Sequence, residues 1–290
     1  MSITFPNDHA FLSIRARFDL DRSTLLGHGG EAWVFAIDEE RVVRILRPGA
    51  PMEDVSRRQE LVNELAQAKP PFRLPEVIEV KQEGDRVYTI ERRLRGRSVM
   101  DVLPTMRGRQ RSELIESYLE AVAALGDLHL DPRGWYGELL GPDPLTAPTW
   151  REYLVQRSAA NLSTFPEFRD VDPEKLAEPL PEPDRPSFVH LDAFAGNVLT
   201  DGEAITAVID VGVTSVVGDR RLDALSAVIY LASPRITPTA TERDMDIALT
   251  WLRAVGLEEW IEPARRWLAA LWCFAADDAN VIAWCREVLA

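Results

Sequence analysis

One stretch, from Ser187 to Gly212, carries polar side chains whose types and spacing could do chemistry together. The short apolar run Phe188-Val189 delivers His190 and Asp192, and Asn197 follows. After the strand-like Val198-Leu199-Thr200 and a turn at Asp201-Gly202, a second apolar run, Ala207-Val208-Ile209, ends on Asp210, with Gly212 just beyond. This pattern predicts a loop followed by a hairpin, with Asp192, Asn197 and Asp210 meeting at one end. Two carboxylates and one amide oxygen suit a hard cation such as magnesium, and they leave one carboxylate to orient a nucleophile. Taken singly, Asp192 and Asn197 read as turn formers and Asp201-Gly202 as a plain hairpin tip. The ordered combination carries the signal.

Elements must bring these residues to one place. Residues Thr24 to Leu46 read as two or three strands broken by turns, with Gly27-His28-Gly29-Gly30 between Leu25-Leu26 and Trp33-Val34-Phe35-Ala36-Ile37. Glycines between two strands let a backbone close over phosphates, and glycines at an ordinary hairpin bend look the same. No Gly-Lys-Ser/Thr follows, so the turn is not a Walker A loop. Arg44 is a cation inside the apolar strand Val42-Val43-Arg44-Ile45-Leu46, a costly place unless it is paired or faces a cleft. Asp54 to Ala68 reads as a helix, and Glu76 to Lys81 with Val87 to Glu91 as a strand pair turning at Gly84-Asp85. Arg111 to Leu130 repeats apolar residues at helical spacing, which makes His129 at its end a core or capping histidine. Residues 163–187 are proline-rich and acidic, and predict a loop with a short helix. Asp219 reads as the N-cap of a helix through Asp223. Three more helices are expected, over about 241–255, 258–274 and 277–289, with Trp251, Trp260, Trp267, Trp272 and Trp284 as core aromatics.

A chain of 290 residues, 46% hydrophobic, can bury a substantial core in one large or two-lobed domain. Its formal charge of −14 argues against binding to nucleic acid or to an anionic membrane. Residues 1–94 carry 16 acidic and 14 basic side chains, which leaves −12 for the remainder. Such acidity is ordinary for solubility and would also attract a cationic partner. Cys273 and Cys285 sit among tryptophans and alanines, as buried reduced thiols do. The N-terminal residues lack a basic segment followed by an apolar core, so no secretion signal is read and a cytoplasmic protein is expected.

The order His190-Leu191-Asp192, Asn197, then Ile209-Asp210-Val211-Gly212 matches the protein-kinase catalytic loop and magnesium motif. More closely, it resembles the aminoglycoside phosphotransferase family, the small-molecule branch of the kinase-like fold. That branch usually has glycine where Leu191 stands. The resemblance implies an α+β fold of two lobes, a small antiparallel β-sheet lobe over residues 1–94 and a mainly helical lobe over 95–290, with nucleotide held between them. It further implies transfer of the γ-phosphoryl group of ATP, or GTP, with Mg2+, to a hydroxyl of a small molecule. Asp192 would be catalytic, Asn197 and Asp210 would hold the metal, and His190, Asp219 and Asp223 would brace the loop. Gly27, His28, Gly29 and Gly30 would cover the phosphates. Arg44, in the place of a lysine, would contact them, paired with Glu60 or, one turn on, Glu64. Glu91 to Gly96, with Glu91 and Leu94 as the contacting positions, would form the hinge at the base. An antibiotic-modifying kinase, a metabolic kinase acting on an amino alcohol or sugar, and a non-catalytic nucleotide-binding module all remain compatible with these residues.

Overall fold

The computed structural model describes residues 5–28 and 31–290. Two compact units emerge, one running to Asn63 and resuming over Leu74–Leu94, the other comprising Glu64–Arg73 and Arg95–Ala290. The first contains helix α1 (His9–Arg17), strands β1 (Leu25–His28), β2 (Ala32–Ala36) and β3 (Arg41–Leu46), helix α2 (Met52–Ala66) up to Asn63, and strands β4 (Val77–Glu83) and β5 (Arg86–Arg92). Its strands form an antiparallel sheet in the order β1-β2-β3-β5-β4. The two-residue period of a strand decides which face each side chain serves. In β3, Val43 and Ile45 are fully buried against Phe11, Ile14, Trp33, Phe35 and Tyr88, the core beneath α1. Arg44, between them, faces the other way. There it lines a small cavity of about 20 Å³ with Val55, Arg58, Gln59 and Val62 of α2 and Thr89 of β5. Helix α1 has no counterpart among the expected elements. Asp8 caps it by accepting from the Phe11 N–H at 2.9 Å, and the same carboxylate holds Arg86.

The second unit contains β6 (Arg97–Ser98), α3 (Val99–Val102), α4 (Gly108–Ala123), β7 (Tyr136–Glu138), β8 (Thr146–Ala147), α5 (Trp150–Leu162), α6 (Pro173–Ala177), β9 (Ser187–Val189), β10 (Val198–Thr200), β11 (Ile205–Val208), β12 (Val216–Gly218), α7 (Arg221–Leu231), α8 (Glu242–Ala254), α9 (Ile261–Trp272) and α10 (Ala279–Leu289). The hairpin read around Asp201-Gly202 is β10 and β11, paired with Val198 opposite Val208. Strand β9 pairs instead with β12, Val189 opposite Val216. These two pairings deliver the ends of β9 and β11 to one loop. Residues 222–231 of α7 are all buried, as expected of a helix that is apolar nearly all round.

The three C-terminal helices fall where the periodicity put them. Helix α4 stops at Ala123 and gives way to a 3₁₀ turn over Ala124–Asp127, shorter than the expected run to Leu130. His129 therefore lies on an exposed loop, its Nε2 3.2 Å from the Asp131 carboxylate, and is neither core nor cap. Among the expected core tryptophans, Trp267 and Trp284 are buried, whereas Trp251, Trp260 and Trp272 are partly exposed. Cys273 and Cys285 are buried free thiols, and burial pushes them up to about 11 and about 12 respectively. Among the described residues, no helix is long and apolar enough to cross a membrane.

Candidate active site

The loop from His190 to Asn197 is organised by hydrogen bonds to its backbone. Asp223 accepts from the N–H of His190 at 2.8 Å and from that of Leu191 at 2.9 Å, one through each carboxylate oxygen. The Tyr230 hydroxyl donates to the Leu191 carbonyl, and the Tyr118 hydroxyl to that of Ala193, both at 3.0 Å. Thr214 donates to the His190 carbonyl at 3.1 Å. The His190 ring accepts the Asp192 N–H on Nδ1 at 3.3 Å, which leaves Nε2 as the donor to the Ile209 carbonyl at 3.1 Å. A neutral imidazole with its proton on Nε2 satisfies both contacts. It ties the loop to the end of β11, one residue before Asp210.

Asn197 closes the arrangement. Its Nδ2 donates to the backbone carbonyl of Asp192 at 2.9 Å and to Oδ2 of the same residue at 3.0 Å. Its own carbonyl accepts the Ile209 N–H at 2.9 Å. Asp192, Asn197 and Asp210 are thus gathered around the mouth of one hairpin, each partly exposed. With its nitrogen committed to Asp192, Asn197 presents Oδ1 as a hard oxygen donor. Among the described residues, no group of three or more His, Cys, Asp or Glu side chains could hold a metal ion. The donors here are one amide oxygen and the Asp210 carboxylate. That set fits magnesium, which commonly takes one or two protein ligands and completes its shell with phosphate oxygens and water.

Burial sets the electrostatics behind the loop. It lifts the Asp223 carboxyl to about 7, although the two N–H groups of His190 and Leu191 pull the other way. Burial also raises the phenols of Tyr118 and Tyr230 well above their ordinary value, and the Asp192 and Asp223 carboxylates add to the effect. Two backbone conformations are special. Leu191 has φ of 61° and Asp210 φ of 65°, both in the left-handed region.

Asp219 does not join Asp223 on the loop. Its carboxylate accepts from the Arg221 N–H at 3.0 Å and pairs with the Arg221 guanidinium at 2.6 Å, which makes it a brace for the start of α7. In the first unit, Gly27 sits in β1 opposite Val34 at a register shift, and β1 ends at His28. Gly29 and Gly30 lie outside the described residues. Arg44 pairs with Glu31, immediately after the glycine turn, at 3.1 Å. The expected Arg44–Glu60 pair is not formed among the described ion pairs, and Glu60 is exposed. Helical phase explains the correction, because each residue turns about 100° and Glu60 follows the inward-facing Gln59. Gln59 instead accepts the Val77 N–H at 2.8 Å, which fixes α2 to β4. The alternative, Glu64, pairs with Arg133 and accepts the Asp131 N–H. Glu91 accepts from the Thr89 hydroxyl at 2.6 Å, and Leu94 closes the first unit, partly buried.

Tyr118, Tyr230, Thr214 and Glu31 escaped the reading of the sequence. Tyr118 and Tyr230 look like core aromatics there. The available signal for Tyr230 was its spacing: it lies seven residues, two helical turns, after Asp223, and so shares a face with it.

A sequence model of a phosphotransferase enzyme family matches residues 24–271. No curated protein matches the chain. Among solved structures it is similar to APH(2″)-IIa in a ternary complex with streptomycin and ATP, at 15% identity, 99% coverage of this chain and 97% of that one, with a TM-score of 0.63. An aminoglycoside-3′-phosphotransferase of type VIII gives 18% identity, 90% and 97% coverage, and a TM-score of 0.60. APH(3″)-Id from Streptomyces rimosus, with ADP and streptomycin, gives 14% identity, 90% and 99% coverage, and a TM-score of 0.52. At such identities the likeness speaks for the fold, two-lobed and kinase-like.

Proposed function

The chain belongs to the phosphotransferase enzyme family, and from that premise we infer that it moves the γ-phosphoryl group of ATP or GTP to a hydroxyl of a small molecule, with Mg2+. The observation that carries this reading is Asn197, whose side-chain nitrogen grips Asp192 at two points while its backbone carbonyl accepts the N–H of Ile209, the residue before Asp210. Asn197 and Asp210 would hold the magnesium ion, which when bound neutralises charge on the phosphates. Asp192 accepts the proton of the acceptor hydroxyl at its carboxylate as that oxygen bonds to phosphorus and the nucleoside diphosphate departs. His190 keeps its own proton on Nε2 and serves as a brace. Such catalysis depends on positioning and charge neutralisation, which is why few side chains suffice.

In the first unit, Arg44 would contact the phosphates, steadied by Glu31 in place of the expected Glu60. The backbone from Glu91 to Leu94 would meet the edge of the base. For the acceptor, the reading follows the fold: the similar structures were solved with streptomycin, gentamicin and kanamycin. A hydroxylated organic amine is the acceptor class best matched to the −12 carried by residues 95–290.

Two variants separate the roles. Asp192→Ala should reduce phosphoryl transfer by about a thousandfold or more while leaving nucleotide affinity within about threefold. Asp210→Ala should weaken Mg-nucleotide binding itself. The measurement is calorimetric nucleotide binding beside transfer to a panel of aminoglycosides, amino alcohols and sugars. Full turnover by Asp192→Ala on any acceptor that the wild type uses would overturn the assignment.

A further inference from the structure

Leu191 is fully buried, and its φ of 61° belongs to a region that a residue with a β-carbon enters at a cost. Such a conformation persists only where the surroundings over-determine it. Both polar groups of Leu191 are held from α7: its N–H by Asp223 and its carbonyl by Tyr230. The tyrosine is itself held. An indole N–H can only donate, so the 2.6 Å contact from Trp272 Nε1 occupies the Tyr230 oxygen as acceptor and leaves its one proton for the Leu191 carbonyl. Trp272 is the last residue of α9 and stacks on Phe274, with ring centroids 5.8 Å apart and 19° between planes. Tyr230 is 2% exposed, so water does not stand in for this partner.

We propose that Trp272 and Tyr230 are positioning residues, a two-bond relay from the end of α9 that holds Leu191 in its left-handed conformation and thereby aims Asp192. Neither touches the reacting atoms. The relay rests on the reading of Asp192 given above, yet it makes a claim of its own: the clamp is needed because the residue is a leucine. Glycine reaches the same φ unaided. The catalytic defect of a broken clamp should therefore disappear when Leu191 becomes glycine, while the loss of stability should not.

Four proteins test this: wild type, Tyr230→Phe, Leu191→Gly and the double variant. Phosphate release from Mg-ATP, with water in the acceptor's place, gives kcat and KM. Amide hydrogen exchange at residues 191–193 and thermal melting are measured alongside. Tyr230→Phe should lower kcat by about tenfold with KM for the nucleotide unchanged, the size expected for one buried hydrogen bond felt at the reacting group. It should also speed exchange at Leu191 and Asp192 by a similar factor. In the double variant, kcat should return to within about twofold of Leu191→Gly alone, with melting still lowered because the buried carbonyl stays unpaired. Trp272→Phe should give a smaller loss of the same kind. An equal kcat loss in the leucine and glycine backgrounds, or unchanged exchange in Tyr230→Phe, overturns the relay. If the wild type neither hydrolyses nor transfers from nucleotide, the functional reading fails, and exchange alone still decides whether the clamp exists.

Discussion

Asp223 shows how much one buried carboxylate can organise. It is wholly buried, it serves two consecutive backbone N–H groups, and burial lifts it to about 7. A carboxyl whose folded value lies above its unfolded 3.8 favours folding most when protonated. Its contribution is therefore greatest below about pH 4 and is lost as pH rises to about 7, after which it is constant. Relative to Asp223→Asn, which does not titrate, the wild type should lose stability across that window by up to about 1.4 kcal/mol per pH unit. Denaturant melts of both proteins from pH 4 to 8 check this, and parallel curves would show that Asp223 does not titrate there. The proximity of Asp223 to His190 was legible in the sequence only through family resemblance. That it binds two N–H groups depends on how α7 docks.

At the scale of elements, α1 illustrates what short-range reading misses. Only nine residues long, it has a weak apolar face of Phe11 and Ile14, and nothing local distinguishes it from a loop. Its stability comes from tertiary contacts. Phe11 packs edge-on to Trp33 at 5.2 Å, and the Asp8 carboxylate both caps the helix and grips the buried Arg86. Arg86 lies over the Phe11 and Trp33 rings and also donates to the Leu46 carbonyl. Hydrogen bonds from Arg86 hold the Asp8 carboxyl down to about 2, against an ordinary 3.8. The stabilisation is thus present above about pH 4 and fades as pH falls towards 2. Asp8→Asn should destabilise the protein by about 1 kcal/mol at pH 7, through the weakened hold on Arg86 at a carboxylate that solvent partly screens, because asparagine can still cap the helix. The difference should shrink at pH 2 to 3, and a difference independent of pH would refute the ionic part of the account. Helix α2 teaches the complementary lesson. Its existence follows from periodicity, but which side chains face the sheet depends on its rotation, and that rotation directs Gln59 inward where Glu60 was expected.

For the molecule as a whole, charge is the property that acts at a distance. With −14 overall and −12 in residues 95–290, a cationic acceptor of the proposed kind would be drawn in by a field that salt screens over roughly 8 Å at physiological ionic strength. The KM for an aminoglycoside acceptor should rise severalfold between about 0.05 and 0.5 M salt, while that for a neutral sugar acceptor should stay nearly constant. Equal salt dependence for the two would remove charge from the account of specificity. The sequence by itself determined what is local: the alternation that makes β3, the turn at Asp201-Gly202, and the order of His190, Asp192, Asn197 and Asp210 that marks the family. These follow from spacing along the chain, which strand and hairpin geometry convert directly into position. Tertiary structure alone decided the partners: Tyr230 for Leu191, Trp272 for Tyr230, Asp223 for two backbone amides. A hydrogen-bond partner tens of residues away depends on the phase and docking of whole helices, and no period along the chain encodes either.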